Sequence, residues 1–419
     1  MIFFYLTPIL ACLNIFFIIE GHKWVDAIGI VPLKARNMIK IIATIIWIFC
    51  FLSIYIAFGM PNNLDRQINP YLYQTRRILK QIGNYHLGVT IYLGMSFVII
   101  LLSRGIERVI LWCKGLRCEE IKARIHNKRR AVLGLANVIF VVAITLYGNW
   151  KAQDIKLNNY EISVDKPCGD IDELRIALVA DLHMGYNIGC DQIAKMVSII
   201  NSQNPDIVIV AGDIFDNEFE ALEDPEALAK ELANINSRYG TYAVLGNHDV
   251  SERIIGGFTF NWDDTSKGTS VEMDDFLTSC GWTLLMDEAV LIDDSFYIYG
   301  RPDYEKPGKD ILIRKGPGEI TNGLELCKPL IVIDHEPREL KELSEAGVDI
   351  DLCGHTHDGQ FFPMNLTSRY LTWENSAGLL KKGDMYNIVT SGVGLFGPNI
   401  RVGTQAEVCC IDVKFLADR

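Results

Sequence analysis

The chain has 419 residues, enough for two or three domains, with 40 Lys/Arg against 52 Asp/Glu and a net charge of −12. The balance is uneven: residues 1–150 hold 17 basic and 6 acidic side chains, while residues 151–419 hold 23 basic and 46 acidic. A half that acidic is a poor partner for nucleic acid, whose affinity comes largely from phosphate neutralisation, so none is expected; it could still hold cations.

In chain order, the first elements are four uncharged, largely apolar runs over about 2–19, 41–58, 87–103 and 131–148. Each is close to the ~20 residues a helix needs to cross a bilayer core, and each has Lys or Arg near at least one end. The third is interrupted by Gly88 and Gly94. Nothing amphipathic in residues 1–150 is large enough to bury four such runs, which predicts an α-helical membrane domain of four spans. The first run lacks a basic leading region and a small-residue cleavage site, and reads as an anchor. The spans carry no charged residue to line a transport path. Basic residues number 13 in the loops 20–40 and 104–130 together, against four (Arg66, Arg76, Arg77 and Lys80) in 59–86. The first and third loops are therefore expected in the cytoplasm, and the C-terminal half outside a cell membrane that the chain crosses several times.

Residues 151–171 read as a linker running into a first strand, and 172–419 as a separate domain. "LRIALVAD" (174–181), "PDIVIVAGD" (205–213) and "GTYAVLGNHD" (240–249) are apolar runs with polar ends. Helical spacing covers 190–203 and 224–238, the latter with Pro225 in its first turn. Later runs are 295–301, 328–335, a helix over 337–347, then 348–357, 385–392 and 407–415. Alternating strands and helices predict an α/β architecture, and the helix-poor later part predicts a second, mixed sheet. Seven cysteines follow residue 150, an odd number with no CxxC pair. Cys353, Cys409 and Cys410 lie in strand-like runs and read as buried small apolar residues.

Five apolar runs end in metal-ligating types: Asp181-Leu-His183, Gly212-Asp213, Gly246-Asn247-His248-Asp249, His335, and Gly354-His355-Thr356-His357. Ligands of open α/β sheets gather at the carboxyl ends of strands, which brings these residues to one edge. On an extended segment Asp181 and His183 would point the same way, as would His355 and His357. Glycines at 212, 246 and 354 allow close backbone approach. A lone histidine is more often a satisfied polar residue than a ligand, but all five histidines after residue 150 fall in these segments. A mixed Asp, His and Asn set suits Mn²⁺, Fe or Zn²⁺, with manganese first, and is too rich in oxygen for a structural zinc site.

Asp-x-His, Gly-Asp-x-x-Asp, Gly-Asn-His-Asp, a lone His and Gly-His-x-His, in that order, resemble the calcineurin-like metallophosphoesterases over roughly residues 172–415. "GHTHDGQFF" and "TSGVGLFGPNIRVGTQAEVCCIDV" further resemble the membrane-anchored bacterial subgroup, which usually has Gly where this chain has Asp358. The resemblance implies a four-layer α/β sandwich of two mixed β-sheets flanked by helices. It implies two divalent ions, one held by Asp181, His183 and His357, the other by Asn247, His335 and His355, with Asp213 shared between them. Two such ions would polarise a phosphoryl group and supply a bridging hydroxide as nucleophile. His248 would donate to a phosphate or leaving oxygen. Asp216 would hold that imidazole's tautomer and favour its charged form, and Asp249 reads as a turn residue.

The expected activity is hydrolysis of a phosphoester or pyrophosphate at the membrane, on a phosphorylated small molecule or a lipid-linked envelope intermediate. The alternative is a membrane sensor that binds metal or phosphate without turnover. The segment 251–270, with Phe258, Phe260 and Trp262, is long and irregular enough to lie over the site and meet an acyl chain.

Overall fold

The computed structural model describes residues 2–60, 69–114, 127–252, 254–255, 258–259, 269–308, 311 and 313–416. Phe260 and Trp262 of the segment expected over the site lie outside the described residues, as do Arg66, Arg117, Lys122 and Arg124 of the loop tallies.

Four helices open the chain: α1 (Ile2–Ala27), α2 (Leu33–Gly59), α3 (Pro70–Cys113) and α4 (Asn127–Gln153). All four are long and apolar enough to cross a membrane. They outrun the apolar runs at one or both ends, most of all α3. Its 44 residues make a rod of ~66 Å, about twice the thickness of a hydrocarbon core. Asn69 caps α3, its side chain accepting from the Leu72 N–H, and Pro70 fills the first turn, where a missing N–H costs nothing.

The rest of the chain continues β1 (Lys156–Val164), β2 (Glu173–Val179), α5 (Cys190–Ser202), β3 (Ile207–Ala211), α6 (Pro225–Leu232) and β4 (Thr241–Val244). A short ribbon follows, β5 (Ile254–Ile255) with β6 (Phe258–Thr259), then α7 (Val271–Ser279), β7 (Thr283–Leu284), β8 (Glu288–Ile292), β9 (Phe296–Gly300) and α8 (Pro317–Ile320). The last elements are β10 (Leu330–Ile333), α9 (Leu340–Glu345), β11 (Ile350–Cys353), α10 (Met364–Thr367), β12 (Gly378–Lys382), β13 (Met385–Val389) and β14 (Glu407–Phe415). One sheet has the order β1-β14-β2-β3-β4-β7 and the other β12-β13-β11-β10-β9-β8. Both are mixed: β14 is antiparallel to β2, and β12 and β8 are antiparallel to their neighbours, while the central strands run parallel.

Strand faces alternate between two cores. Ile176, Leu178, Ile207 and Ile209 pack between the sheets with Ile298, Ile331, Ile333 and Leu352 of the second sheet. Ala177, Val179, Val208 and Val210 point the other way, onto Ile193 and Met196 of α5, Leu228 of α6 and Met273 of α7. On the far side, Tyr297, Tyr299 and Val332 cover Leu340 and Leu343 of α9. The expected four-layer sandwich of two mixed sheets flanked by helices is thus present, and burial on both faces explains why its strands read as unbroken apolar runs. Cys353, Cys409 and Cys410 are buried in β11 and β14 as small apolar residues. The helix expected over 224–238 ends at Leu232, because Asn201 of α5 takes the next segment: its amide donates to the Asn234 carbonyl and its side-chain oxygen accepts from the Asn236 N–H.

Only Asp154 and Ile155 separate α4 from β1, and β1 pairs with β14 over nine residues, so the fourth helix is joined directly to the sheet edge. Two further contacts seat the sandwich on the helices. The N-terminal turns of α3 carry Arg76 and Lys80 to the buried Glu218, at 3.0 and 3.1 Å, and Arg77 to Glu223 at 2.6 Å. Gln81 donates to the Tyr186 carbonyl, and the Tyr73 hydroxyl lies 3.1 Å from the carbonyls of Ala221 and Leu222. Elsewhere Ile400 enters a notch between Gly88 of α3 and Gly148 of α4, where an added Cβ would stand 2.9 Å from it. Phe361, Ile400 and Val402 then pack with Phe17, Leu93, Phe97 and Val141 of the spans.

Removing one partner of a buried ion pair leaves uncompensated charge at a typical cost of about 3–5 kcal/mol. Glu218→Gln, which strands Arg76 and Lys80 together, is therefore expected to lower the unfolding midpoint of the detergent-solubilised protein by many degrees, measurable by thermal scanning. An unchanged midpoint would show that α3 does not depend on this contact.

Candidate dinuclear metal site

The polar strand ends meet where the parallel strands of both sheets finish. Asp181 and His183 follow β2, Asp213 follows β3, Asn247 and His248 follow β4, His335 follows β10, and His355 and His357 follow β11. The local geometry is not the extended one expected. Asp181, His183, Asp213, His355 and His357 all have left-handed backbones, with φ of +53°, +44°, +51°, +69° and +48°. That conformation is disfavoured for residues with a Cβ and concentrates at functional sites. The pairs converge because the chain folds back sharply after each strand, not because side chains alternate along one. The glycines act as anticipated. A Cβ on Gly246 would collide with the Asp213 carboxylate, one on Gly212 would lie 2.5 Å from His335 Nδ1, and one on Gly354 would meet Ala180 and the Asp181 carboxylate.

Two sets of donor atoms face inward. His183 Nε2 and His357 Nε2 stand 3.0 Å apart, with Asp181 Oδ1 3.8 Å from the latter. His355 Nδ1 is 3.1 Å from His335 Nε2, and the Asn247 side-chain oxygen lies 3.0 and 3.2 Å from those two nitrogens. Between the sets, one oxygen of Asp213 is 3.6 Å from His183 Nε2 and 3.3 Å from His335 Nε2. Two nitrogens bound to one ion at ~2.1 Å and roughly a right angle would stand ~3 Å apart, the spacing found in each set. Each set also groups into three side chains whose ligand atoms lie within 4.8 Å of one another, Asp181-His183-His357 and Asp213-His335-His355.

Outer contacts aim these groups. Asp181 accepts from the His355 N–H at 2.9 Å, and Asp213 from the His248 N–H at 2.7 Å. His335 Nδ1 lies 2.8 Å from the Ala211 carbonyl, which can only accept, so the proton sits on Nδ1 and Nε2 turns its lone pair inward. His355 Nε2 is 3.3 Å from the buried Glu336 carboxylate, which leaves its Nδ1 for the interior. Burial and the neighbouring Asp213 charge push Asp181 up to about 6. Both sets therefore fit divalent ions: the chain offers converging lone pairs and surplus buried negative charge.

His248 and Asp216 lie beside the donor sets. Asp216 Oδ1 is 3.7 Å from the Nδ1 atoms of both His248 and His183, and none of the three atoms has a hydrogen-bond partner among the described residues. The carboxylate is shared, not dedicated to His248. Burial pushes the His248 imidazole down to about 4, against the opposite pull of Asp213 and Asp216. Asp249 is a turn residue, its carboxylate accepting from the Gly246 and Phe215 N–H groups at 2.8 Å each.

Sequence reasoning passed over Glu336 and Arg401. Glu336 directly follows His335, and a second acidic group beside a lone histidine was the available signal. Arg401 is fully buried and donates to the carbonyls of Ser391, Gly392, Gly394 and Gln405. It thereby braces the turn whose Gly394 N–H donates to the Asp181 carbonyl at 2.7 Å. Nothing in the pattern around it marks such a role.

The site opens into a cavity of about 610 Å³ whose far wall belongs to the first helices, through Leu10 of α1 and Leu87 and Ile91 of α3. His248, Phe396 and Trp373 line it near the donor atoms.

Residues 174–359 match the family model of the calcineurin-like phosphoesterases. The chain is 28% identical over 295 residues to a zebrafish (Danio rerio) transmembrane protein with a metallophosphoesterase domain, covering 68% of this chain and 63% of that one. It is 29% identical over 273 residues to the bovine (Bos taurus) protein of the same description, covering 61% and 56%. An Aquifex aeolicus metallophosphoesterase is 27% identical over 279 residues, covering 66% of this chain and 98% of its own. The chain thus spans somewhat over half of the length of the zebrafish and bovine proteins. With the motif order, the two-sheet sandwich and the paired donor sets in agreement, residues 174–359 are a calcineurin-like phosphoesterase domain.

Proposed function

We propose that the chain is a membrane-tethered, dinuclear-metal phosphoesterase that hydrolyses a phosphoester or pyrophosphate carried on an amphiphilic, lipid-linked molecule. The observation that carries the reading is the single Asp213 oxygen set between two converging donor sets at the floor of a cavity walled by membrane helices. Asp181, His183 and His357 would hold one ion and Asn247, His335 and His355 the other, with Asp213 common to both and manganese the first candidate. When bound, such a pair supplies Lewis-acid polarisation of the phosphoryl group and activation of water near neutral pH.

The chain's own groups orient the rest. His248 lines the cavity beside the ligands, where its imidazole N–H can donate to a phosphate or leaving oxygen, and Asp216 faces its other nitrogen. Leu10, Leu87 and Ile91 offer an apolar wall to an acyl or prenyl chain while the phosphate rests on the donor sets. The basic residues of the first and third loops favour an extracytoplasmic domain. Arg76, Arg77 and Lys80, three of the four in the second loop, are engaged with Glu218 and Glu223, so their placement there is explained by docking.

Three measurements test this. Manganese-reconstituted protein offered an aryl monoester, an aryl diester and a lipid pyrophosphate should turn over at least one, and His248→Ala should retain its metal while losing roughly 10²–10⁴-fold in kcat, the range of general acid–base assistance; full activity in that variant removes the assigned donor, and no turnover of any substrate favours the sensor alternative. Gly246→Ala, by displacing the Asp213 carboxylate, should lower bound metal per chain after dialysis, read by plasma mass spectrometry, without unfolding the sandwich. Cys327, exposed on the sandwich, should react with a membrane-impermeant maleimide on intact cells; labelling only after permeabilisation would place the domain in the cytoplasm.

A further inference from the structure

Twelve large apolar side chains are exposed among the described residues after α4, and five of them fall within ten positions: Phe362, Met364, Leu366, Tyr370 and Leu371, the last two 77% and 82% exposed. They belong to one compact segment, α10 followed by a π-helical turn over Ser368–Thr372. A soluble surface seldom gathers apolar groups so closely without a covering partner.

The segment is continuous with the membrane helices. Phe361, immediately before it, is buried among Phe17, Leu93, Phe97 and Val141 of the spans. Its inner face supplies Met364, Thr367 and Thr372 to the same cavity that Leu10, Leu87 and Ile91 close from the other side. Leu87 is also the first residue of the uncharged run of α3, which sets the segment at the height where that run begins.

Its chemistry suits a bilayer boundary. Residues 360–373 contain Phe, Tyr and Trp, no acidic group and one basic group, Arg369. Arg369 pairs with the buried carboxylate of Asp358, its Nε 2.7 Å from Oδ1, and Ser376 donates to the same oxygen at 3.3 Å. Asp358 is the residue that stands where the bacterial subgroup usually has Gly, and it adopts φ +52°. One carboxylate next to His357 thus holds Arg369 near the far end of the segment and Ser376 just beyond it, fixing the segment relative to the donor sets.

We propose that residues 362–371 are an interfacial membrane-binding element: their apolar side chains enter the headgroup–acyl boundary and set the cavity mouth against the leaflet, so that an amphiphile passes into the site from the plane of the membrane. Elements of this kind bury their apolar face ~5–10 Å into the boundary. The proposal builds on the amphiphilic-substrate reading above and extends it to how the substrate arrives.

The test uses the full chain reconstituted in phosphatidylcholine/phosphatidylglycerol vesicles with a photo-crosslinking amino acid at position 371, and a control at Ile313, which is 87% exposed on the sandwich. Lipid adducts at 371 and none at 313, read by mass spectrometry, are the expected result. Adducts at 371 to a second copy of the chain, or to no lipid, overturn the proposal whatever the enzyme cleaves. In parallel, Leu371→Asp should slow hydrolysis of a vesicle-embedded lipid phosphate by about tenfold or more while leaving a soluble aryl phosphoester unaffected. Equal loss on both substrates also overturns it. If lipid adducts form at 371 but the wild-type protein cleaves soluble esters only, the interfacial element stands and the lipid-substrate reading falls.

Discussion

Imidazole nitrogens that stand 3.0 and 3.1 Å apart require a proton or a cation between them, and the C-terminal half is organised around two such approaches. The rest of the site follows from maintaining them. Five residues accept left-handed backbones, glycines remove Cβ atoms where Asp213 and His335 pass, and Arg401 is buried to hold the Gly392–Gly394 turn against Asp181. Strain of this sort persists only where surrounding structure over-determines it, and here two sheets converging from opposite sides supply that surrounding.

A second constraint joins this site to the helices. Ile400 sits where Gly88 and Gly148 leave room, and Glu218 sits where α3 brings Arg76 and Lys80. The walls of the cavity are likewise composite: the polar floor comes from strand ends, and the apolar wall from α1 and α3. Neither half of the chain would form the cavity alone. Asp216 is two residues from Glu218, so the same loop carries both the docking carboxylate and the carboxylate between His183 and His248.

Much of this was legible from residue patterns. Parallel strands buried on both faces announced themselves as apolar runs, and their polar ends marked where they would meet. The membrane helices were recognisable by length and composition, but not their overhang, because the docking turns of α3 are as polar as an ordinary loop. The reason for convergence was misread: alternation along a strand would have sufficed for Asp181 and His183, whereas the chain leaves the sheet and reverses. Contacts between distant surfaces left no local trace. Arg401 and the Gly88–Gly148 notch become intelligible only when the two halves are seen together. Asp358 was visible as an oddity, and its partner Arg369, eleven positions on, gives it a purpose.

The overhang of α3 has a consequence for reach. From Leu87, where its uncharged run begins, back to Arg76 is a rigid climb of ~16 Å. Because that climb ends in buried ion pairs and not in a tether, the donor sets keep a fixed height relative to the uncharged runs of the helices. In the proposed reaction a phosphate borne outward on a long soluble arm would have to bend back to that level, so the scaffold would act as a ruler that sorts substrates by how far the reactive group stands from the lipid.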